Sequence, residues 1–586
     1  MNQKIKLIPL LLFSSFATQA AKDVKVMQYL HAGPITVNKP ILTDSLNVDG
    51  KPFEAKNLVK STIPFGRALG NAAVINADTA GLITVPTPEK GYALHLYSFY
   101  LNSDRYTKGS LEVSGAGTFE VFVNNKPVGA TSELALEPHR YEVVIKYLTA
   151  DTDTCPSTLT AKFKSEEEAK VIASLDPEKR YTPRDILEGT QFRGTSVSPD
   201  GKYVLVKYYT RMEGGKSEQY AQLRDAATGR ILLQDKGFIL TADWMPTSSK
   251  MYFTRTGMNG KELVTVDPAT MQEEILAENL PEGSFSFTPD EKTLLYTIQE
   301  EGPKDGPDML RILEPNDRLP GFRNRYFIWR YDLQTGLYEQ LTYGHNNTFI
   351  NDVSADSRYL LFSTNEQDYT SLPHSSNSMY KLDLQSMAVD TLWERAKYIN
   401  GATFSPDGKQ LMVFGSGNAF DNIGLNIKEG QISNTYDGQL FLYDPATRKA
   451  KALTKDFNPN VTSAQWNKFD GQIYMLTEDQ DYQRVYTCNP ANGKIRRLDL
   501  PEDVIYNYSL AEAAPVMYYY GQSVSNANRL YSYNTKSKKT QLIYDLSADK
   551  LKDIQFGEVH DWNFTSTDGT IIQGRYYLCL LYTSPS

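Results

Sequence analysis

The sequence predicts a mostly β protein: an N-terminal β-sandwich, a β-propeller of about seven blades, and a last strand pair that opens a further sheet. Three observations predict it. Apolar and polar residues alternate between turn signals over residues 90–163, a small or polar turn with Asp, S-P-D-G in two of its copies, recurs four times from residue 197, and a charged hairpin recurs seven times between residues 221 and 545. A chain of 586 residues is too long for one ordinary core, so two or three domains are expected.

The first twenty residues, MNQKIKLIPLLLFSSFATQA, place Lys4 and Lys6 before an apolar run and small residues at its end. Residues 1–20 therefore read as a secretory signal peptide, and the expected address is periplasmic or extracellular. No later segment offers about 18 uninterrupted apolar residues, so no membrane span is expected. Cys155, Cys488 and Cys579 are too few and too scattered for a disulfide framework or a metal site, and read as core or free thiols. A net charge of -9 without a basic block excludes a nucleic-acid binder.

Residues 21–163 are assigned to the sandwich. YALHLYSFYL, GSLEVSGAGTFEVFVNNKPVG, HRYEVVIKYL and STLTAKF read as strands, with Asn124-Asn125 and Gly115 to Gly117 as turns. Such a domain serves as a spacer or binds a glycan; no residue names a ligand. Residues 164–186, with Glu166 to Glu168 and two prolines, read as a linker carrying a short helix.

The propeller is assigned to residues 187–550. VSPDGKYVLV at 197, FTPDEKTLLYT at 287, VSADSRYLLFS at 353 and FSPDGKQLMVF at 404 each set a turn between two strands. Pro presets the first dihedral, Asp accepts backbone N–H groups, and Gly permits positive φ. The second unit, from AQLRDAATGRILLQ to LYSYNTKSKKTQLIY, is an apolar strand, an Asp or Asn turn and a charged edge strand. Four short strands per repeat of about 40 to 60 residues predict a propeller blade.

The S-P-D-G turns resemble those of TolB-like propellers and of the prolyl oligopeptidase family of serine peptidases. YTPRDILEG (181–189) is similar to that family's approach to its propeller, and GEVHDWNFTSTDGTIIQGRYYL (557–578) to its passage into the α/β-hydrolase domain. The resemblance covers residues 181 to 578. It implies that residues 551–578 begin a hydrolase domain, and that the Ser, Asp and His of catalysis would come from the remainder of that domain. Residues 579–586, CLLYTSPS, depart from the pattern and read as translated adapter sequence.

No catalytic, cofactor-binding or metal-binding residue is assigned. Gly521-Gln522-Ser523-Val524-Ser525 lacks the second glycine of a G-x-S-x-G elbow and falls within a blade. His560 and Asp561 are neighbours in a strand, where they point to opposite faces and cannot pair as a triad requires. His31, His95, His139, His345 and His374 have no metal-ligand spacing. Gly214-Gly215-Lys216-Ser217 ends like a P-loop but has Thr210 where Gly is needed. In dipeptidyl peptidase IV relatives a propeller Glu pair follows an Asp-Trp phrase. Asp243-Trp244 continues here without one, and Glu166 to Glu168 read as a solvated linker face.

The expected function is therefore the propeller portion of an exported serine peptidase acting on short peptides, without a cofactor. This chain itself is expected to be inactive. The alternative is a non-catalytic TolB-like propeller serving as a protein-interaction platform.

Overall fold

The computed structural model describes residues 23–578 except 104, 138, 154, 166–170, 176–182, 307, 308, 310, 314, 320, 553 and 555. The expected signal peptide, the Glu166 to Glu168 run and the 579–586 tail lie outside the described residues. The chain divides into two compact units, Met1–Ile186 and Leu187–Ser586.

The first unit holds two antiparallel sheets. In the smaller, Asp23–Lys25, Ser157–Ser165, Thr107–Gly115 and Thr131–Leu136 lie side by side, with Leu82–Val85 also on Ser157–Ser165. The larger is centred on Tyr92–Ser103 and His139–Ala150, paired over their full lengths. Between the sheets lies one core that includes Tyr29, Tyr97, Phe99, Leu111, Tyr147 and Phe163.

Thr107–Gly115 alternates buried and less buried positions because only one face of its sheet is covered. Tyr92–Ser103 is instead buried almost throughout. Its second face is covered by Ala55–Lys60 and Phe65–Leu69, which pack around Leu94, Leu96 and Val144. The Asn124-Asn125 turn has φ of 47° and 63°, the left-handed pair that a tight hairpin needs. Val171–Ser174, expected in the linker, is a strand paired to Tyr92–Ser103. Four residues flanked by charge carry too short a pattern to show this. The helix expected in the linker is Pro183–Leu187.

The second unit is a β-propeller of seven four-stranded antiparallel blades, residues 189–235, 243–277, 284–340, 348–396, 399–452, 460–497 and 504–545. Each blade is four consecutive strands, so no strand is lent across the ring. The first strands of blades 4 and 5, and of blades 1 and 7, pack on each other, which puts the first strand of each blade nearest the axis.

The recurring turn works as its residues predict. In blade 1, Ser198 Oγ donates to Asp200 Oδ1 at 2.7 Å, Lys202 N donates to the same oxygen at 3.1 Å, and Gly201 takes φ of 74°. Thr288 with Asp290, Ser354 with Asp356 and Ser405 with Asp407 repeat the hydroxyl bond. These bonds hold the carboxyls of Asp200, Asp356 and Asp407 below the usual range, although burial opposes the shift.

The ring closes without a shared strand, by packing and hydrogen bonds between blades 1 and 7. Phe192, Val204 and Tyr208 of blade 1 share a core with Tyr518, Tyr520 and Leu530 of blade 7. Across this seam Tyr518 Oη donates to Ala226 O at 2.9 Å and Val197 N to Ser509 Oγ at 2.9 Å.

Candidate functional site

After blade 7 the chain forms a hairpin of Val559–Thr565 and Ile571–Tyr577, a two-stranded sheet of its own. Its register pairs His560 with Tyr576, Trp562 with Gly574 and Phe564 with Ile572 on one face, and Asp561 with Arg575 on the other. The first face is apolar and exposed: Trp562 stacks on Phe564 at 4.9 Å and His560 on Tyr576 at 5.2 Å.

The second face is pinned to blades 6 and 7. The Arg575 side chain is only 13% exposed and ion-pairs with Asp503 at 3.1 Å, with Asp481, and with Asp561 at 3.5 Å. Its guanidinium also sits 4.4 Å from the centre of the Tyr482 ring. Tyr482 Oη donates to Asp561 Oδ2 at 2.6 Å. Burial and then that bond push the Tyr482 hydroxyl above its ordinary value, so it remains a donor. One cation facing three carboxylates and a ring is an anchor, and it holds no nucleophile.

Beneath the anchor, blades 6 and 7 enclose a cavity of about 180 Å³ lined by Tyr482, Arg484, Arg497, Asp499, Glu502 and Asp503. The Glu502 side chain is 2% exposed and its backbone is left-handed at φ 86°. Its carboxylate accepts hydrogen bonds from Tyr531 Oη at 2.6 Å, Ser523 Oγ at 2.7 Å and Asn526 Nδ2 at 2.9 Å. Three donors satisfy a buried carboxylate. It braces the last blade where Gln483 and Val504 join neighbouring sheets.

The residues weighed in the sequence fall apart in space. His560 Nε2 lies 3.1 Å from Glu558 Oε2, while Asp561 faces Tyr482, so the neighbours serve opposite faces. Gly214 and Gly215 make a turn between Tyr203–Arg211 and Ser217–Asp225 with φ of 78° and 76°. Gly521 lies within Val516–Ser523, where a Cβ would sit 2.4 Å from Val504 O. Trp244 Nε1 donates to Ser196 O at 2.9 Å, so the Asp-Trp phrase ties blade 2 to blade 1.

Cys155 is an exposed and Cys488 a buried free thiol. Among the described residues no group of three or more His, Cys, Asp or Glu could hold a metal, and no helix is long and apolar enough to cross a membrane. Two histidines that looked scattered do meet: His31 Nε2 lies 3.0 Å from His95 Nδ1 inside the sandwich unit. Their 64-residue separation hid the contact. The anchor was missed too, and its signal was a lone arginine, Arg575, inside an apolar strand.

The family model described as SMP-30/Gluconolactonase/LRE-like region matches residues 241–531, which run from blade 2 into blade 7. A search of the curated proteins gave no match. Among solved structures, the acylaminoacyl peptidase of Pyrococcus horikoshii in its orthorhombic crystal form superposes with a TM-score of 0.50 at 14% identity, over 68% of this chain and 59% of its own. An acylaminoacyl peptidase in complex with Z-Gly-Gly-Phe-chloromethyl ketone gives 0.50 and 14%, over 69% and 60%.

The shared feature is the fold. This chain thus spans about 60% of the length of the peptidases whose fold it resembles. At such identity the likeness reaches no further than chain path, and the anchor residues have to be read on their own chemistry.

Proposed function

We propose that this chain is the propeller-bearing portion of an exported serine peptidase of the prolyl oligopeptidase family. In this reading a Ser-Asp-His hydrolase domain of the same protein cleaves short peptides through an acyl-enzyme, and the propeller admits peptides while keeping folded proteins out. The observation that carries it is the Val559–Thr565 and Ile571–Tyr577 hairpin. A ring of seven complete blades has no structural use for a further hairpin. This one is pinned by Arg575 on its polar face and leaves Trp562, Phe564, Ile572 and Tyr576 uncovered on the other, as strands that begin another sheet would.

The test is to express the protein from the continuous genomic frame at the source locus and assay proline-containing peptides. Hydrolysis abolished by a serine-directed fluorophosphonate is expected, with none from the 586-residue chain. A stop codon directly after Leu578, or enzymatic turnover by the 586-residue chain, would sink the reading.

A second reading, a non-catalytic interaction platform, is favoured by the long loops of blades 3 and 5. Residues 301–324 and 417–437 expose Leu319, Ile432 and Tyr436, where the same loops of blades 2, 6 and 7 are two-residue turns. Retention of a specific protein partner by a chain lacking peptidase activity would favour it.

A further inference from the structure

The first turn of each blade has one position that can be followed around the ring. Blades 1 to 5 carry Pro199, Pro246, Pro289, Ala355 and Pro406 there; blades 6 and 7 carry Lys468 and Glu512. Six of these, from Pro246 to Glu512, line a single axial cavity of about 300 Å³. Glu512 N also donates to Pro199 O at 3.1 Å, which brings the seventh turn to the same ring. The rim is therefore apolar through five blades and doubly charged through two.

The charged sector is loosely held. Lys468 Nζ and Glu512 Oε2 lie 2.5 Å apart, but both side chains are about two-fifths exposed. An ion pair so open to water holds its partners only weakly. Asp352, from the first strand of blade 4, lines the same cavity. Its Oδ2 accepts Phe404 N at 2.7 Å and its Oδ1 accepts Val353 N at 2.8 Å. Burial pushes the Asp352 carboxyl up, and Lys468 and Glu512 both act on it, with opposite sign. Phe404, Met412 and Trp466 add apolar wall. The cavity thus offers one cation, two carboxylates and a greasy surface in a volume at the small end of ligand sites.

We propose that this axial cavity binds a small zwitterion with an apolar side chain, the chemistry shared by an apolar α-amino acid and a dipeptide. The ligand carboxylate replaces Glu512 on Lys468 Nζ, the ligand ammonium is taken by Glu512 and Asp352, and the side chain lies on the proline sector and Trp466. A ligand carrying both charges exchanges one ion pair for two, so breaking the Lys468–Glu512 contact costs little. A singly charged analogue makes only one of the two ion pairs, and it takes water from the charge that it leaves without a partner. The site stands on the ring's geometry and charge and does not rest on the peptidase reading.

Titration calorimetry on the 586-residue chain tests it, with L-leucine and leucyl-leucine as zwitterions and N-acetyl-leucine and leucinamide as singly charged controls. Saturable one-site binding of at least one zwitterion is expected, with both controls weaker by about tenfold or more. Lys468→Met and Glu512→Gln should each weaken the zwitterion by a similar factor. Whichever zwitterion binds tighter tells a free amino acid from a peptide.

Absence of saturable heat with both zwitterions up to about 10 mM, or equal affinity for the controls, overturns the proposal. The controls are measured on the unaltered protein, so a variant that fails to fold does not spare it. Failure of the hydrolysis assay leaves this site standing, and failure here leaves that assay standing.

Discussion

Two hairpins near the end of the chain have the same local design and opposite fates. Val516–Ser523 with Asn526–Asn534, in blade 7, and Val559–Thr565 with Ile571–Tyr577 are both antiparallel pairs rich in aromatic residues. In blade 7, Met517, Tyr518 and Tyr519 are completely buried, whereas Trp562 in the terminal hairpin is 53% exposed. Pairing of strands is a local matter; burial comes from neighbours. Blade 7 has blade 1 on one side and blade 6 on the other, and the terminal hairpin has an anchor on one face only. Hydrophobic stabilisation follows area removed from water, so the same sequence pattern contributes much to stability in one place and little in the other.

The strongest way to break this comparison is truncation at matched positions. Tyr518→Ala should cost about 3–5 kcal/mol, read as a lower urea midpoint, because it empties the seam and removes the bond to Ala226 O. Trp562→Ala should stay within about 0.5 kcal/mol. Equal losses would mean that the terminal hairpin is covered in the folded protein.

The contrast of one-sided and two-sided burial also extends to the sandwich through His95, which is fully buried on the strand covered on both faces. Burial first, then the neighbouring His31, lowers its pKa from 6.5 to about 4. Between those values the unfolded chain binds a proton that the folded one does not, so stability is full above pH 6.5 and falls as pH drops toward 4. That shift corresponds to roughly 3 kcal/mol at most. All five tryptophans, Trp244, Trp329, Trp393, Trp466 and Trp562, lie in the second unit, so tryptophan fluorescence follows the propeller while circular dichroism follows both units. From pH 7 to 5 the circular dichroism melt should acquire an earlier sandwich transition that fluorescence does not show. His95→Gln should remove that difference; its persistence would assign it elsewhere.

Arg575→Ala sharpens the comparison from the anchored side. It should speed proteolysis within residues 559–577 while shifting propeller stability by no more than about 1 kcal/mol. An unchanged cleavage rate would show that the ion pairs to Asp503 and Asp481 do not hold the hairpin. Removing residues 551–586 should raise soluble yield, since an unpaired apolar sheet is an aggregation site; unchanged or lower yield would contradict this.

The smallest effect concerns the turn between the third and fourth strands of the blades. Gly229, Gly336 and Gly493 take positive φ there in blades 1, 3 and 6, but Met271, Met387, Arg448 and Lys538 hold the same left-handed conformation, at φ near 58–59°. Met387→Gly should stabilise by about 0.5–1 kcal/mol, read by the urea midpoint. A loss would show that the methionine side chain contributes more than its backbone costs.

The propeller was legible in the sequence because it is written repeatedly. Ser198, Asp200 and Gly201 specify a turn through bonds within six residues, and the motif recurs with its hydroxyl and carboxylate intact at Thr288, Ser354 and Ser405. Seven Asp or Asn hairpins counted the blades for the same reason: short-range hydrogen bonds are encoded by the residues that make them. The independence of His560 from Asp561 was likewise settled by strand geometry alone.

Long-range contacts had no such code. Tertiary structure alone brought His31 to His95, added Val171–Ser174 to the sandwich sheet, and set Arg575 against Asp481 and Asp503. It also turned an unremarkable Lys468 and Glu512 into neighbours by bringing their turns to the axis. A local alternation fixes which face of a strand is apolar. Which neighbour covers that face, or leaves it open, is decided only when the whole ring has closed.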